Sequence, residues 1–377
     1  LWTEYFERRE NELRSNGDGS NATAWYRTRQ VELEAGAEIS WPARFDADVF
    51  ASAIEEAMVK RHESPEAFAA EMQNEPISTE AERGAVRSLD PNQVAARVSR
   101  IPRLEVPVNT TRLVSFVDVG SGVMWYGVAA FDEKFNGWLV DYGAWPRQNR
   151  AYFRAEDARP SLLDLFPGLS EPQLVYAGLR SVVGELVSRQ YRRQNGEAVQ
   201  IERCLVDARW QTDTVHQFIR ESPSAQVLLA SKGYSTASNV RAMNDWAPKP
   251  GERVGWNWRM GPAPNGRGRQ VLFDPDHWKT FTADRLTTQP GAGGALQLFG
   301  DAAGEHRLLA DHVCAEYSVR VTIRDRKFDK WEIKPSRDNH LLDVLVGLSV
   351  AASVQGLKWD SGGGERVTVA PRRAPSM

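Results

Sequence analysis

The feature that most constrains this chain is the run Leu113-Val114-Ser115-Phe116-Val117, closed by Asp118 and then Gly120. An unbroken apolar segment of strand length, ended by an acid and a glycine, marks a strand buried in the middle of a sheet. Residues 123–131 and 137–142 follow across short glycine-bearing links, which predicts a three-strand antiparallel meander. Residues 172–191 carry Leu174, Leu179, Val182, Val183, Leu186 and Val187 at helical spacing. A strand over 199–206 then ends in Asp207, a helix covers about 212–220, and 225–230 is a further strand. Residues 317–323 and 328–333 form a hairpin around Arg324-Asp325-Arg326-Lys327. A last strong helix spans 338–355 and stops at Gly356.

The remainder is organised around this block. Residues 1–85 read as a helical connector with little apolar material. Within it, a helix over 46–60 is capped by Asp46, and another over 65–73 has Ser64 as its cap and Pro65 in its first turn. Residues 86–356 form the main domain. About 244–300, rich in Gly, Pro and Trp, reads as an irregular or β-containing insertion, and 357–377 as a flexible tail. The chain opens Leu1-Trp2-Thr3-Glu4-Tyr5, without Met or a signal peptide, as the inside of an amphipathic helix does, which suggests a piece of a longer protein. No apolar run approaches the roughly 20 residues a membrane span needs. Cys204 and Cys314 sit in apolar stretches as buried thiols, and neither belongs to a zinc motif. A net charge of −3 gives no global pull on nucleic acid, so a nucleic-acid enzyme of this balance needs a local basic face beside an acidic pocket.

Three antiparallel strands followed by helix, strand, helix, strand and helix is the order of an RNase H-like α/β core. In such a core the first strand is central and the fourth lies parallel beside it. Asp118 and Asp207 then sit side by side at one edge of the sheet, and Asp343 on the last helix closes the pocket. Taken alone, Asp118 also reads as a turn residue and Asp207 as a helix cap. Asp343 is harder to dismiss, because its helix is otherwise apolar and a lone buried charge must be paired or metal-bound. Three carboxylates suit phosphodiester hydrolysis with two divalent ions such as Mg²⁺ about 3.5–4 Å apart. His340, one turn before Asp343, is open between metal ligand, water-positioning group, proton shuttle and a helix-start histidine bonded to backbone. Asp338 reads as the helix cap, Asp213 as a supporting residue, and Asp141 as a weaker fourth acid.

Four stretches resemble the nuclease domain of the large terminase subunit of tailed bacteriophages, in particular its GpA-like branch. They are Phe116-Val117-Asp118-Val119-Gly120, Cys204-Leu205-Val206-Asp207, residues 338–352, and Phe68-Ala69-Ala70-Glu71-Met72-Gln73-Asn74-Glu75-Pro76. Trp41-Pro42-Ala43-Arg44 matches the junction after the packaging ATPase. The resemblance implies an RNase H-like fold, Mg²⁺ or Mn²⁺ dependence, and cutting of concatemeric double-stranded viral DNA during head filling in the host cytoplasm. It further implies the small terminase subunit and the portal as partners. By position Asp118, Asp207 and Asp343 match the family's carboxylates, and His340 a histidine that some members carry. No Gly-x-x-x-x-Gly-Lys-Ser/Thr loop occurs, so no ATP hydrolysis is expected of this chain.

Lys232, Arg267, Arg269, Arg324 and Arg326 are candidate DNA contacts, though each also reads as part of a solvated loop. Competing readings are another RNase H-like enzyme, of transposase or resolvase type, and a non-catalytic module that docks DNA or the portal with structural acids.

Overall fold

The computed structural model describes residues 1–14, 18–63, 68, 86–235, 242–323, 326–359 and 368–369. The chain divides into two compact units, Leu1–Ala81 and Glu82–Met377. No helix among the described residues is long and apolar enough to cross a membrane.

The first unit contains α1 (Trp2–Arg14), α2 (Ser20–Thr28), α3 (Gln30–Leu33) and α4 (Ala53–Glu63). Its apolar material is sparse but aromatic: Tyr5 and Tyr26 are fully buried, with Trp2, Phe6 and Trp25 packed against them. Large rings supply much area per residue. Glu55 is buried at the centre, where its carboxylate accepts from the Tyr5 hydroxyl (2.6 Å), the Thr23 hydroxyl (2.8 Å) and the Ala51 backbone N–H (2.6 Å). A buried carboxylate persists only with such partners. The helix expected from residue 46 starts at Ala53 instead. Ser52 Oγ accepts the Glu55 N–H and serves as its cap, while Asp46 closes a local turn onto Asp48. The helix expected over 65–73 and the motif running to Pro76 lie, Phe68 apart, outside the described residues.

The second unit opens with β1 (Val86–Ser88), α5 (Pro91–Ala95) and β2 (Glu105–Val106). The expected meander follows as β3 (Arg112–Val119), β4 (Met124–Phe131) and β5 (Gly137–Trp145), antiparallel throughout. After α6 (Leu162–Leu165) and α7 (Glu171–Ser188), a small strand pair, β6 (Tyr191–Arg193) and β7 (Ala198–Val199), precedes β8 (Arg203–Asp207). The fourth strand is thus shorter than expected, because Val199 pairs with Tyr191 in a separate small sheet. Next come α8 (Thr212–Glu221) and β9 (Leu228–Gly233). β8 lies parallel to β3, and β9 parallel to β8.

The sheet continues beyond the anticipated core. Residues 244–300 hold β10 (Arg253–Gly255), β11 (Trp258–Pro262), β12 (Arg269–Phe273), α9 (Pro275–Thr287) and β13 (Leu296–Leu298). The region is therefore β-containing, the second of the two expectations, and holds a helix besides. Asp274 caps α9 by accepting from the backbone N–H groups of Asp276 and His277, with Pro275 in the first turn where a missing N–H costs nothing. Trp258 and Trp278 are fully buried. The chain then runs through α10 (Arg307–Val313), β14 (Glu316–Ile323), β15 (Arg326–Ile333), α11 (His340–Val354) and β16 (Thr368–Val369). The main sheet has the order β13-β5-β4-β3-β8-β9-β12-β11-β10-β16. β12 is parallel to β9, and β13 parallel to β5. The expected flexible tail contributes β16, which pairs with β10; its other residues from 360 onward lie outside the described ones.

Strand alternation sorts the two faces of the sheet. Val114, Phe116 and Leu205 share a core with α11, whereas Leu113, Val117, Cys204 and Val206 share one with α7 and α8. Both cysteines are free and buried. Helix α11 can lie close on the sheet because Gly347 and Gly127 have no side chains there. A Cβ on Gly347 would sit 1.9 Å from the Phe116 ring, and one on Gly127 would sit 2.6 Å from Val344.

Candidate active site

Parity carries the acids to one place. Asp118 follows Val114 and Phe116 on β3, and Asp207 follows Leu205 on β8, so both carboxylates emerge on the α11 face at neighbouring strand ends. Asp343 comes down from the first turn of α11. All three line one cleft of about 280 Å³, together with Arg209, Asp276, Lys279, Lys330 and Asn339. His340, on the same turn, donates from Nδ1 to Asp118 Oδ2 at 2.7 Å. Its ring stacks on Trp125 with centroids 5.3 Å apart. Of the readings left open for His340, bonding to the helix backbone is not the one observed.

The electrostatics are lopsided. Burial, reinforced by the charges of Asp118 and Asp343, pushes the Asp207 carboxyl up to about 7, against one backbone N–H from Arg209 at 3.3 Å. Burial likewise raises Asp343; the ammonium of Lys279 opposes that shift, while Asp118 and Glu316 add to it. The Asp343 side chain nevertheless remains 39% accessible from the cleft. Burial works against a charged His340 ring, but the hydrogen bond and charge of Asp118 prevail and lift it above the ordinary histidine value.

Several cleft residues escaped the reading of the sequence. Lys279, on α9, donates to both oxygens of Glu316 (2.6 and 2.8 Å) and lies 3.5 Å from Asp343 Oδ1. Asn339 donates to Glu316 Oε1 at 2.6 Å and to Asp343 Oδ2 at 3.1 Å. Asp276 accepts from the Ser235 hydroxyl and the Trp331 N–H, both at 2.9 Å. The Asp274-Pro275 pair is the signal that leads to Lys279 and Asp276, since it announces a helix start.

Other candidates are placed elsewhere. The β5 pairing shifts register between Val128 and Ala129, which sets Asp141 opposite Val128 on the α7 face. There its carboxylate, 1% exposed, takes the Arg103 Nε at 2.7 Å and the Arg189 Nη1 at 2.8 Å, beside a hollow of about 900 Å³. This larger hollow has no part in the cleft of the three acids. Asp338 is not the cap of α11, a position held by Asn339; it accepts the Ala155 N–H at 2.8 Å. Asp213 is exposed and ion-paired with Arg267, so neither supports the cleft. Lys232 shares its parity with Leu228 and Ala230 and points to the α7 and α8 face. Arg269 donates to the Gly251 and Met260 carbonyls, at 3.4 Å each, and does not line the cleft. Arg324 and the Arg326 side chain lie outside what is described.

The donor set suits a hard cation: carboxylate oxygens on three elements, two of them held above their ordinary protonation range by burial and mutual repulsion. Among the described residues, no three His, Cys, Asp or Glu side chains converge as a ready-made cage. Asp118 is turned onto His340, and Asp343 onto Asn339 and Lys279.

Residues 47–362 match the family model described as the endonuclease domain of terminase large subunit gpA. No curated protein sequence matches. Among the solved structures that are similar, two share 12% identity with this chain. One is a mutant nuclease domain of the large terminase subunit gp2 of bacterial virus Sf6 with manganese (TM-score 0.34, covering 69% of this chain and 97% of that one). The other is the HK97 bacteriophage large terminase (TM-score 0.36, covering 86% of this chain and 54% of that one).

Proposed function

This chain belongs to the endonuclease-domain family of terminase large subunit gpA, and on that premise we propose that its cleft cuts double-stranded concatemeric viral DNA during genome packaging. The observation that carries the reading is the meeting of Asp118, Asp207 and Asp343 in one cleft, where burial and the two neighbouring acids push Asp207 up to about 7 despite the charge of Arg209. Asp118 and Asp343 have partners in His340 and Lys279, but three carboxylates sharing one cleft, with Asp207 raised, are the donor set a divalent cation would take.

Asp118, between the other two acids and His340, is suited to hold both of two Mg²⁺ or Mn²⁺ ions, with Asp207 and Asp343 each completing one site. Such ions, when bound, supply activation of the attacking water and stabilisation of the leaving oxygen. The chain's own side chains do the rest. His340, fixed edge-on to Asp118 and stacked on Trp125, orients that carboxylate and holds a proton at Nδ1. Arg209 and Lys330 line the cleft as cations that can meet phosphate oxygens. Asp276 holds the rim by tying Ser235 and Trp331 to the start of α9.

Residues 1–85 then serve as the connector that follows an ATPase, residues 86–356 as the nuclease, and 357–377 as its tail. The small subunit and the portal are the partners, and the host cytoplasm the place of work. Supercoiled plasmid incubated with the chain in Mn²⁺, Mg²⁺ or EDTA tests the reading. Linear product with a divalent ion and none in EDTA is expected; an intact plasmid under every divalent condition sinks it. Strand-transfer products would point to a transposase-type enzyme instead.

A further inference from the structure

The cleft already contains a cation of the protein's own. Lys279 is not a surface lysine: its side chain is 14% exposed, and its partner Glu316 is 2% exposed. The ammonium takes both Glu316 oxygens and still comes within 3.5 Å of Asp343 Oδ1. Asn339 closes the ring by donating to Glu316 and to the other Asp343 oxygen. Four elements (α9, β14, the cap of α11 and α11 itself) thus supply one connected network around Asp343. Were Lys279 needed only to neutralise Glu316, it would have no reason to approach the cleft acid as well.

We infer that Lys279 is a built-in occupant of the Asp343 position, which competes with a divalent ion for that carboxylate and yields by turning fully onto Glu316. Glu316 is the parking place that makes the exchange possible without stranding a buried charge. Asn339 keeps the Asp343 carboxylate in register while the occupant changes. The effect is to set how much divalent ion the nuclease needs before Asp343 takes part. This inference rests on Asp343 being a metal ligand, and it assigns Lys279 a positioning role at that ligand.

The test is Mn²⁺ titration of the whole chain by calorimetry, without DNA, with folding of each variant checked by circular dichroism. Lys279→Met is expected to bind Mn²⁺ about tenfold more tightly, the scale of one charge-assisted contact removed from competition. Loss of a positive charge would by itself also strengthen binding, so the deciding variant is Lys279→Met with Glu316→Gln. It leaves the net charge of the pocket unchanged and does not strand Glu316 as a buried, unpaired carboxylate. Competition predicts that this double variant binds as tightly as the single one; a return to wild-type affinity overturns the inference. Should the single variant fail to fold, the double variant alone decides. Asp343→Asn added to the double variant must erase the gain, and a gain that survives it also overturns the inference. Mn²⁺ binding by the wild type with no change in the double variant sinks the inference and leaves the nuclease reading standing. No Mn²⁺ binding by any of these proteins sinks both.

Discussion

Asp141 and Asp207 are both withdrawn acids on one sheet, and they are treated in opposite ways. Asp141 has an arginine on each oxygen, so its burial is fully answered. Asp207 has one backbone N–H and two acids for neighbours, and its carboxyl is pushed up to about 7. The difference teaches that a buried acid is not in itself a functional one. What distinguishes the proposed site is an acid whose counter-charge, Arg209, does not outweigh burial and its two acidic neighbours.

That contrast can be broken by experiment, most forcefully at the acids themselves. Asp207→Asn is expected to reduce metal-dependent plasmid cleavage by more than about a hundredfold, since loss of even a supporting partner at a metal site costs up to that much. Asp141→Asn should leave cleavage close to wild type. Equal losses in the two variants would dissolve the distinction. In urea titrations the order reverses: Asp141→Ala should cost about 3 kcal/mol by stranding Arg103 and Arg189, while Asp207→Asn should not destabilise. Gly347→Ala comes next, at about 2 kcal/mol, because the new methyl group meets the Phe116 ring and lifts α11 from β3. Its cleavage activity should fall further than its stability accounts for at temperatures where it stays folded. His340→Gln is expected to slow cleavage about tenfold and to move the pH profile, since the ring orients Asp118 without being one of the three acids.

A further effect is one of pH on the metal-free protein. A carboxyl whose folded value rises from 3.8 to about 7 binds more protons in the folded state than in the unfolded one between those values. Stability therefore falls as pH rises through that window, the reverse of a salt-bridged aspartate. Melting curves of the wild type from about pH 4 to about pH 7 should show this slope. Asp207→Asn should flatten it and be the more stable protein near neutrality. A wild type that gains stability across the window would mean that Asp207 is compensated after all.

The sheet's centre was legible because periodicity is a local signal. Leu113 to Val117 could only be a buried strand, and the placement of Asp118 and Asp207 follows from counting by twos. Asp343 stood out as an acid in an apolar helix. The Lys279 and Glu316 partnership was not legible, since it joins α9 to β14 and neither residue breaks a local pattern. Residues 244–300 were legible as β-containing, but their helix was not, for a different reason. Their glycines and prolines advertise turns, while their tryptophans are core, and the Asp274-Pro275 helix start lies between the two signals. Asp141 shows a third limit, because one β-bulge moves a side chain to the other face and leaves no mark on composition.

The contact between His340 and Asp118 spans 222 residues of sequence. A site closed over such a separation has no local precursor, and long-range closures of this kind form late and slowly. The His340–Asp118 contact therefore awaits the folding of α11: a molecule that has formed only the strand bearing Asp118 does not yet hold it. On the nuclease reading proposed above, the order of folding is itself a safety catch.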